Sequence, residues 1–332
     1  MTCDILLPVR DSAGTLAEAL ESIRAQTFRD FRCLILDDGS SDASPDIAAA
    51  LAARDARFIV HRMARRGLVA ALNEGLALAQ APFVARADAD DVLDRERLAM
   101  QVWFLEENPA ITVVSSLVHF FGDEVSADLR AYEAWLNQAL AHEDIVKDLF
   151  VESPLPHPSV VMRTTAVRQA GGYREGEFPE DYDLWLRGWR AGWRFAKIPR
   201  VLVHIRDHPL RLTRTDPRYT PRAFLACKSL HFIAAHDLVG GDVVVWGAGR
   251  DGVRTARELQ RRGVRIRFFV DVAPTKIGRN LVKTIVRAPD GLREKPGCPI
   301  VVAVGVKGAR ARIREHLLAL GYCEPAEFVC FG

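Results

Sequence analysis

An α/β fold with a mostly parallel sheet sandwiched by helices, followed by a second and smaller α/β unit, is predicted by three observations. Short apolar runs at residues 3–9, 31–36, 58–60 and 83–88 alternate with segments whose apolar residues recur at helical spacing, a β-α-β-α-β-α-β order. Those runs are apolar almost throughout, as strands covered on both faces are. At Asp242 a strand, a glycine-rich turn and a helix begin again. With 332 residues, 49% of them hydrophobic and 27% charged, the chain can fill two cores. The predicted boundaries are 1–220 for the first domain, 221–239 for a helical linker and 240–332 for the second domain.

Within the first domain, Leu16, Ala19, Leu20 and Ile23 mark a helix that Ser12 or Thr15 caps. The second strand runs into Asp37-Asp38-Gly39-Ser40-Ser41-Asp42, and a helix covers Pro45 to Arg54. Leu68, Leu72 and Leu76 mark the buried side of the next helix. The strand Phe83–Asp88 then ends in the carboxylates Asp88, Asp90 and Asp91. In extended backbone Asp88 and Asp90 share a face and Asp91 takes the other. Such a pair repels itself unless one member holds a proton or a divalent cation lies between them. Oxygen ligands suit Mg²⁺ or Mn²⁺, and a solvated acidic turn ahead of the helix 95–108 is the plainer reading.

In parallel sheets ligands bind beyond the carboxyl ends of the strands, so Asp37-Asp38 and Asp88-x-Asp90 can converge across some fifty residues. Further on, Thr112–Leu117 reads as a strand, Tyr132–His142 and Glu143–Phe150 as short helices, and Ser159–Arg163 as an edge strand. Asp181, Leu184, Trp185, Gly188 and Trp189 share one helical face, which sets an acid in the first turn of an apolar stripe, where the helix dipole favours its ionised form. That arrangement serves a general base or a simple helix cap. Phe195–Ile198 and Arg200–Arg206 read as two strands leading to His208, a metal ligand or a surface histidine.

Net charge is +2, but residues 1–239 carry 28 Lys/Arg against 34 Asp/Glu, and 240–332 carry 17 against 9. None of the six cysteines forms a C-x-x-C pair, and Cys3 and Cys33 lie in apolar strands, as reduced thiols of a cytoplasmic protein do. No apolar run approaches the ~20 residues that span a bilayer. Peripheral association with a membrane and oligomerisation stay open. Nucleic-acid binding has no support, because the basic residues of the tail are not interleaved with stacking aromatics.

Taken together, these motifs resemble the family-2 glycosyltransferases of the GT-A fold. The residues that carry the resemblance are Pro8-Val9-Arg10-Asp11, Ser22 with Gln26-Thr27-Phe28, Asp37–Asp42, Gly67 with Ala71-Leu72-Asn73-Glu74-Gly75, Asp88–Asp91 and Glu180–Arg187, spread over residues 1–215. The resemblance implies a nucleotide-sugar donor site at Pro8, Val9, Arg10, Asp38, Gly67, Asp88 and Asp90. Asp38 then binds the base, normally uracil, and Asp88 lies near the ribose. Asp90, with His208 of the Arg206-x-His208 element, holds Mg²⁺ or Mn²⁺. Asp181 aligns with the general base and Glu180 with an acceptor contact. An inverting transfer from a UDP-sugar to a saccharide or lipid-linked hydroxyl follows, in the synthesis of cell-surface polysaccharide.

Arg10 departs from the family pattern, which has an aromatic there, and Asp11 replaces an Asn; a guanidinium can also stack on a base. The Gln-x-x-Arg-Trp motif of processive synthases is absent, which favours single additions. Two rival readings are a nucleotidyltransferase, which needs a lysine-bearing glycine loop after the first strand, and a non-catalytic nucleotide-sugar sensor.

The tail resembles the small Rossmann-like domains attached to sugar-modifying enzymes. Its Gly247-x-Gly249-x-x-Gly252 turn follows a strand and opens a helix, and Asp271 lies 19 residues beyond Gly252, as a dinucleotide fingerprint requires. Gly247, Gly249, Gly252 and Asp271 thus form a possible second nucleotide site, with Lys276, Arg279 and Lys307 available to phosphate. The alternative is a domain that only packs. Some ninety residues leave no room for a dehydrogenase.

Overall fold

The computed structural model describes residues 1–306 and 308–332, and Lys307 lies outside the described residues. Contacts divide the chain into two units. The first comprises Met1–Ile145, Pro154–Gly176 and Asp183–Asp216; the second comprises Val146–Ser153, Glu177–Tyr182 and Pro217–Gly332.

Eight strands form the sheet of the first unit: β1 (Cys3–Val9), β2 (Phe31–Asp37), β3 (Phe58–Arg62), β4 (Phe83–Arg86), β5 (Val92–Leu93), β6 (Val113–Phe121), β7 (Val161–Arg163) and β8 (Phe195–Arg206). Their order is β3-β2-β1-β4-β7-β6-β8-β5. The first four are parallel, with Val9 opposite Asp37 and Leu6 opposite Arg86. This register brings the carboxyl ends of β1, β2 and β4 to one edge. Ile5, Leu7, Ile35 and Ala85 are fully buried beneath it and pack with Leu16, Leu20 and Ile23 of the helix Leu16–Arg24. Each large apolar side chain so buried contributes about 1.5–3 kcal/mol.

Three elements differ from expectation, each for a local reason. Strand β4 ends at Arg86, two residues early, because its neighbours stop pairing: the Ala87 N–H still reaches Leu6 O, and then the chain turns, with Asp91 N bonded to Asp88 O. The two strands expected at 195–206 are one, β8, whose pairing jumps from Ser116 opposite Ile198 to Leu117 opposite Val201. Pro199 and Arg200 form the bulge, which is where a residue without an N–H is tolerated. Strand β7, expected at an edge, lies inside the sheet between β4 and β6, and all but Arg163 of it is buried.

In the second unit, β9 (Asp242–Trp246), β10 (Arg265–Val270), β11 (Asn280–Leu281), β12 (Thr284–Arg287), β13 (Ile300–Val302) and β14 (Phe328–Cys330) line up as β11-β12-β10-β9-β13-β14. All pairs except β11–β12 are parallel, the order of a doubly wound sheet. The helix Pro221–Ala235, expected as a linker, groups with this unit. It buries Cys227 and Phe232, and the Nζ of its Lys228 donates to the carbonyls of Phe150 (3.1 Å), Val151 (2.8 Å) and Phe331 (2.8 Å). Those bonds explain why Val146–Ser153 belongs to the second unit. Among the described residues no helix is long and apolar enough to cross a membrane.

Candidate functional site

Because β4 stops at Arg86, the alternation that would have turned Asp91 away no longer applies. Asp88, Asp90 and Asp91 each offer a carboxylate oxygen within 4.8 Å of the other two. Asp91 is 2% exposed; its Oδ1 accepts the Arg206 N–H (2.9 Å), while its Oδ2 has no partner among the described residues. Burial first, and the charges of Asp88 and Asp90 next, raise its pKa well above the usual carboxylate range. The loop after β8 closes the cluster: His208 Nε2–H donates to Asp90 Oδ2 (2.9 Å), and Arg206 Nε donates to Asp90 O (3.1 Å).

Two buried arginines lie under these acids. Arg86 pairs with Asp88 Oδ1 at 2.5 Å. Arg97, fully buried, donates to the carbonyls of Arg86 (2.8 Å) and Val160 (3.2 Å) and to Gln101 (3.0 Å). Burial pushes its pKa down to about 10, so it stays a cation at neutral pH. A charge without water must be hydrogen-bonded, and here carbonyls of the strand ends serve.

At the end of β2, Asp38 is 3% exposed and both its oxygens are engaged: Oδ1 by Arg66 N (2.6 Å) and Oδ2 by Gly67 N (2.9 Å). It therefore pins the loop that enters the helix Leu68–Leu78, whose cap Gly67 takes φ +93°. Asp37 Oδ1 accepts Ser40 N (3.0 Å) and its Oδ2 faces Arg62 at 3.4 Å. Pro8 and Val9 lie in β1, and Arg10 just past it is exposed and 3.6 Å from Asp11. Asp11, at φ +47°, holds Ser41 N (2.8 Å) and donates its N–H to Ser40 Oγ (3.1 Å), which locks the loops after β1 and β2 together.

The helix Glu180–Arg190 opens with both predicted acids. Glu180 is 2% exposed and accepts the Tyr219 hydroxyl (2.7 Å), so it is turned into protein and not toward solvent. Burial, followed by the charges of Glu180 and Asp181, raises the Tyr219 pKa and keeps that phenol protonated. Asp181 is half-buried, and its Oδ1 accepts Tyr182 N (2.7 Å).

In the second unit the glycine turn has the tight geometry its pattern predicts. A Cβ on Gly252 would lie 1.7 Å from Gly247 O, and one on Gly247, at φ +126°, would lie 2.4 Å from Ala303 O. Asp271 accepts Ala248 N and Ala273 N (2.9 Å each) and pairs with Lys276 Nζ (2.9 Å). Burial would raise its pKa, but these bonds outweigh burial and hold it low. Asp271 thus fixes the glycine turn to the segment after β10.

The structure therefore gathers Asp88, Asp90 and His208, and it adds Asp91 and Arg206. Asp91 is legible as a third acid of the cluster, though strand alternation points it to the other face; Arg206 stands in the Arg206-x-His208 element, and the fold adds that its backbone N–H and guanidinium bond to Asp91 and to Asp90 O.

Comparison with known proteins places the chain in a family. The family model Glycosyl transferase family 2 matches residues 4–164. An uncharacterised glycosyltransferase of Haemophilus influenzae is 30% identical over 203 residues, covering 60% of this chain and 73% of the relative. The amylovoran biosynthesis glycosyltransferase AmsE of Erwinia amylovora is 30% identical over 198 residues, covering 59% and 72%. Among solved structures, S. aureus TarS residues 1–349 in complex with UDP-GlcNAc aligns with a TM-score of 0.56 at 16% identity, over 79% of this chain and 71% of that one. The structural likeness shows the GT-A fold, and the sequence relatives show more: the chain belongs to the family-2 glycosyltransferases.

Proposed function

We propose that this glycosyltransferase is inverting and metal-dependent, and that it moves a sugar from a UDP-sugar to a hydroxyl of a saccharide or lipid-linked acceptor in cell-surface polysaccharide synthesis. The observation that carries the reading is the convergence of Asp88, Asp90, Asp91 and His208 at the carboxyl ends of parallel strands. Three hard oxygen donors, one of them on a buried carboxylate with an unpartnered oxygen, fit Mg²⁺ or Mn²⁺. Asp90, Asp91 and His208 would hold the ion, which when bound supplies positive charge against the leaving diphosphate.

The chain's own groups do the rest. Asp38 holds the 66–67 loop in place beside the donor, and Arg10 offers a guanidinium face to the base. Asp181 takes the proton of the acceptor hydroxyl as that oxygen forms its bond to the anomeric carbon and the bond to the diphosphate oxygen breaks. One displacement inverts the centre, and no second nucleophile is needed.

A panel of UDP-sugars with and without Mn²⁺, read first by thermal shift and then by transfer to a saccharide acceptor, tests this. Stabilisation by a UDP-sugar only with the ion, lost in Asp90→Ala, is expected. Unchanged stabilisation in that variant would remove Asp90 from the site. Binding without any transfer, in wild type and across acceptors, would favour the sensor reading.

A further inference from the structure

The exposed face of the helix Arg250–Arg261 carries a feature that the transferase reaction does not use. Arg250, Arg254, Arg257 and Arg261 recur at three- and four-residue intervals, one per turn, so they form a single stripe about 16 Å long. Two contiguous depressions follow it. One, of about 420 Å³, is lined by Gly249, Arg250, Val253 and the other three arginines. The second, of about 480 Å³, shares Arg254 and Arg261, takes in Glu258 of the same helix, and adds Thr220 and Arg222 at the start of the helix Pro221–Ala235.

Five arginines thus line the groove against one glutamate, Glu258, which is already engaged by Arg261 (3.2 Å) and Arg262 (2.8 Å). Arg222, Arg254 and Arg257 are exposed and make no ion pair or side-chain hydrogen bond among the described residues. Guanidinium groups set in one row, with donors to spare and like charges as neighbours, call for an anion.

We infer that this groove binds the oligophosphate part of a small soluble ligand, a diphosphate or longer. Its size is that of a small-ligand site. A planar forked cation matches phosphate oxygens in pairs, and a chain of phosphates can neutralise several members of the row at once. A membrane surface fits less well. A basic helix that docks on lipid flanks its charges with exposed apolar side chains, whereas Val253 is half-buried here and Leu225 is buried. The inference does not depend on the donor site, which lies on other residues.

Calorimetry of the full chain with sodium tripolyphosphate in metal-free buffer tests it. Binding is expected in wild type, at least tenfold weaker in Arg254→Ala/Arg257→Ala, and retained in Asp90→Ala. Both arginines are exposed, and an unchanged melting temperature verifies the fold of the double variant. Three results would each overturn the inference: no binding in wild type, equal affinity in the double arginine variant, or loss in Asp90→Ala alone. Binding of phosphatidylglycerol vesicles without binding of tripolyphosphate would also overturn it and assign the face to a membrane.

Discussion

Replacing Asp91 with asparagine tests whether the carboxylate cluster is built round a cation. Size is nearly conserved, and Oδ1 can still accept the Arg206 N–H, so the surrounding loop keeps its anchor. At the 4.8 Å within which the three oxygens lie, and an effective dielectric of about 20, each pair of ionised carboxylates repels by roughly 3.5 kcal/mol. Burial, and this repulsion from Asp88 and Asp90, raise the Asp91 pKa well above the usual carboxylate range, so without an ion its proton is kept to higher pH than an ordinary carboxyl's. A carboxyl whose folded pKa exceeds its unfolded value of about 4 stabilises the fold fully below that value and loses the contribution as pH rises through the folded pKa.

The Asp91 contribution to metal-free stability must therefore fall as pH climbs above about 4, and the difference in stability between wild type and Asp91→Asn must change with pH in that direction. The ion requires the carboxylate, so Mn²⁺ affinity for wild type must rise with pH. At a free concentration 100 times Kd the ion adds about 2.7 kcal/mol, or roughly 5–10 °C for a unit of about 200 residues. A tenfold loss of affinity, about 1.4 kcal/mol, would halve that shift in the variant. Differential scanning fluorimetry at pH 6, 7 and 8, with and without Mn²⁺, reads both effects. Equal Mn²⁺ shifts in the two proteins, or no shift in wild type at any pH, would refute the argument.

Other outcomes follow from the same structure. Asp181→Asn should lower turnover by about 10²–10⁴ while donor affinity holds, the size of a lost general base; steady-state kinetics with a titrated donor would expose equal turnover. Asp38→Ala frees the N–H groups of Arg66 and Gly67 and should cost about 1–3 kcal/mol in urea unfolding, with weaker UDP-sugar binding. Lys228, whose pKa burial pushes down to about 8, should make the second unit more stable as pH rises from about 8 to 10, by roughly 3 kcal/mol in all, because the unfolded chain binds the extra proton there. Glu152 and Cys227 beside it oppose that shift and Arg310 adds to it; Lys228→Met should flatten the slope, and an unchanged slope would acquit the lysine. Gly252→Ala drives a Cβ into Gly247 O and should unfold the second unit or sharply lower its melting temperature, whereas Gly249→Ala, with nothing within 4 Å, should melt as wild type does.

Hydrophobic patterning made the parallel strands and their helices legible, since period and apolar content report burial directly, and burial is what selects these elements. Harder to see were the places where one element depends on a distant one. That Ser159–Arg163 lies inside the sheet is decided by β4 and β6 on either side, and a three-residue strand carries too little pattern to reveal it. Arg97 reads as an ordinary charged helix residue until the carbonyls of Arg86 and Val160 are placed around it.

The chain alone determined which residue types stand at the strand ends: acids after β2 and β4, a glycine turn after β9, and an acid opening the helix at Glu180. Only the tertiary structure decided what each of them faces. Pairing ends at Arg86, and that turns Asp91 in with Asp88 and Asp90, while neighbouring N–H groups occupy Asp38 and Asp271. A carboxylate's partner is set by whichever donors the fold brings within about 3 Å, and strand ends bring together donors from far along the chain.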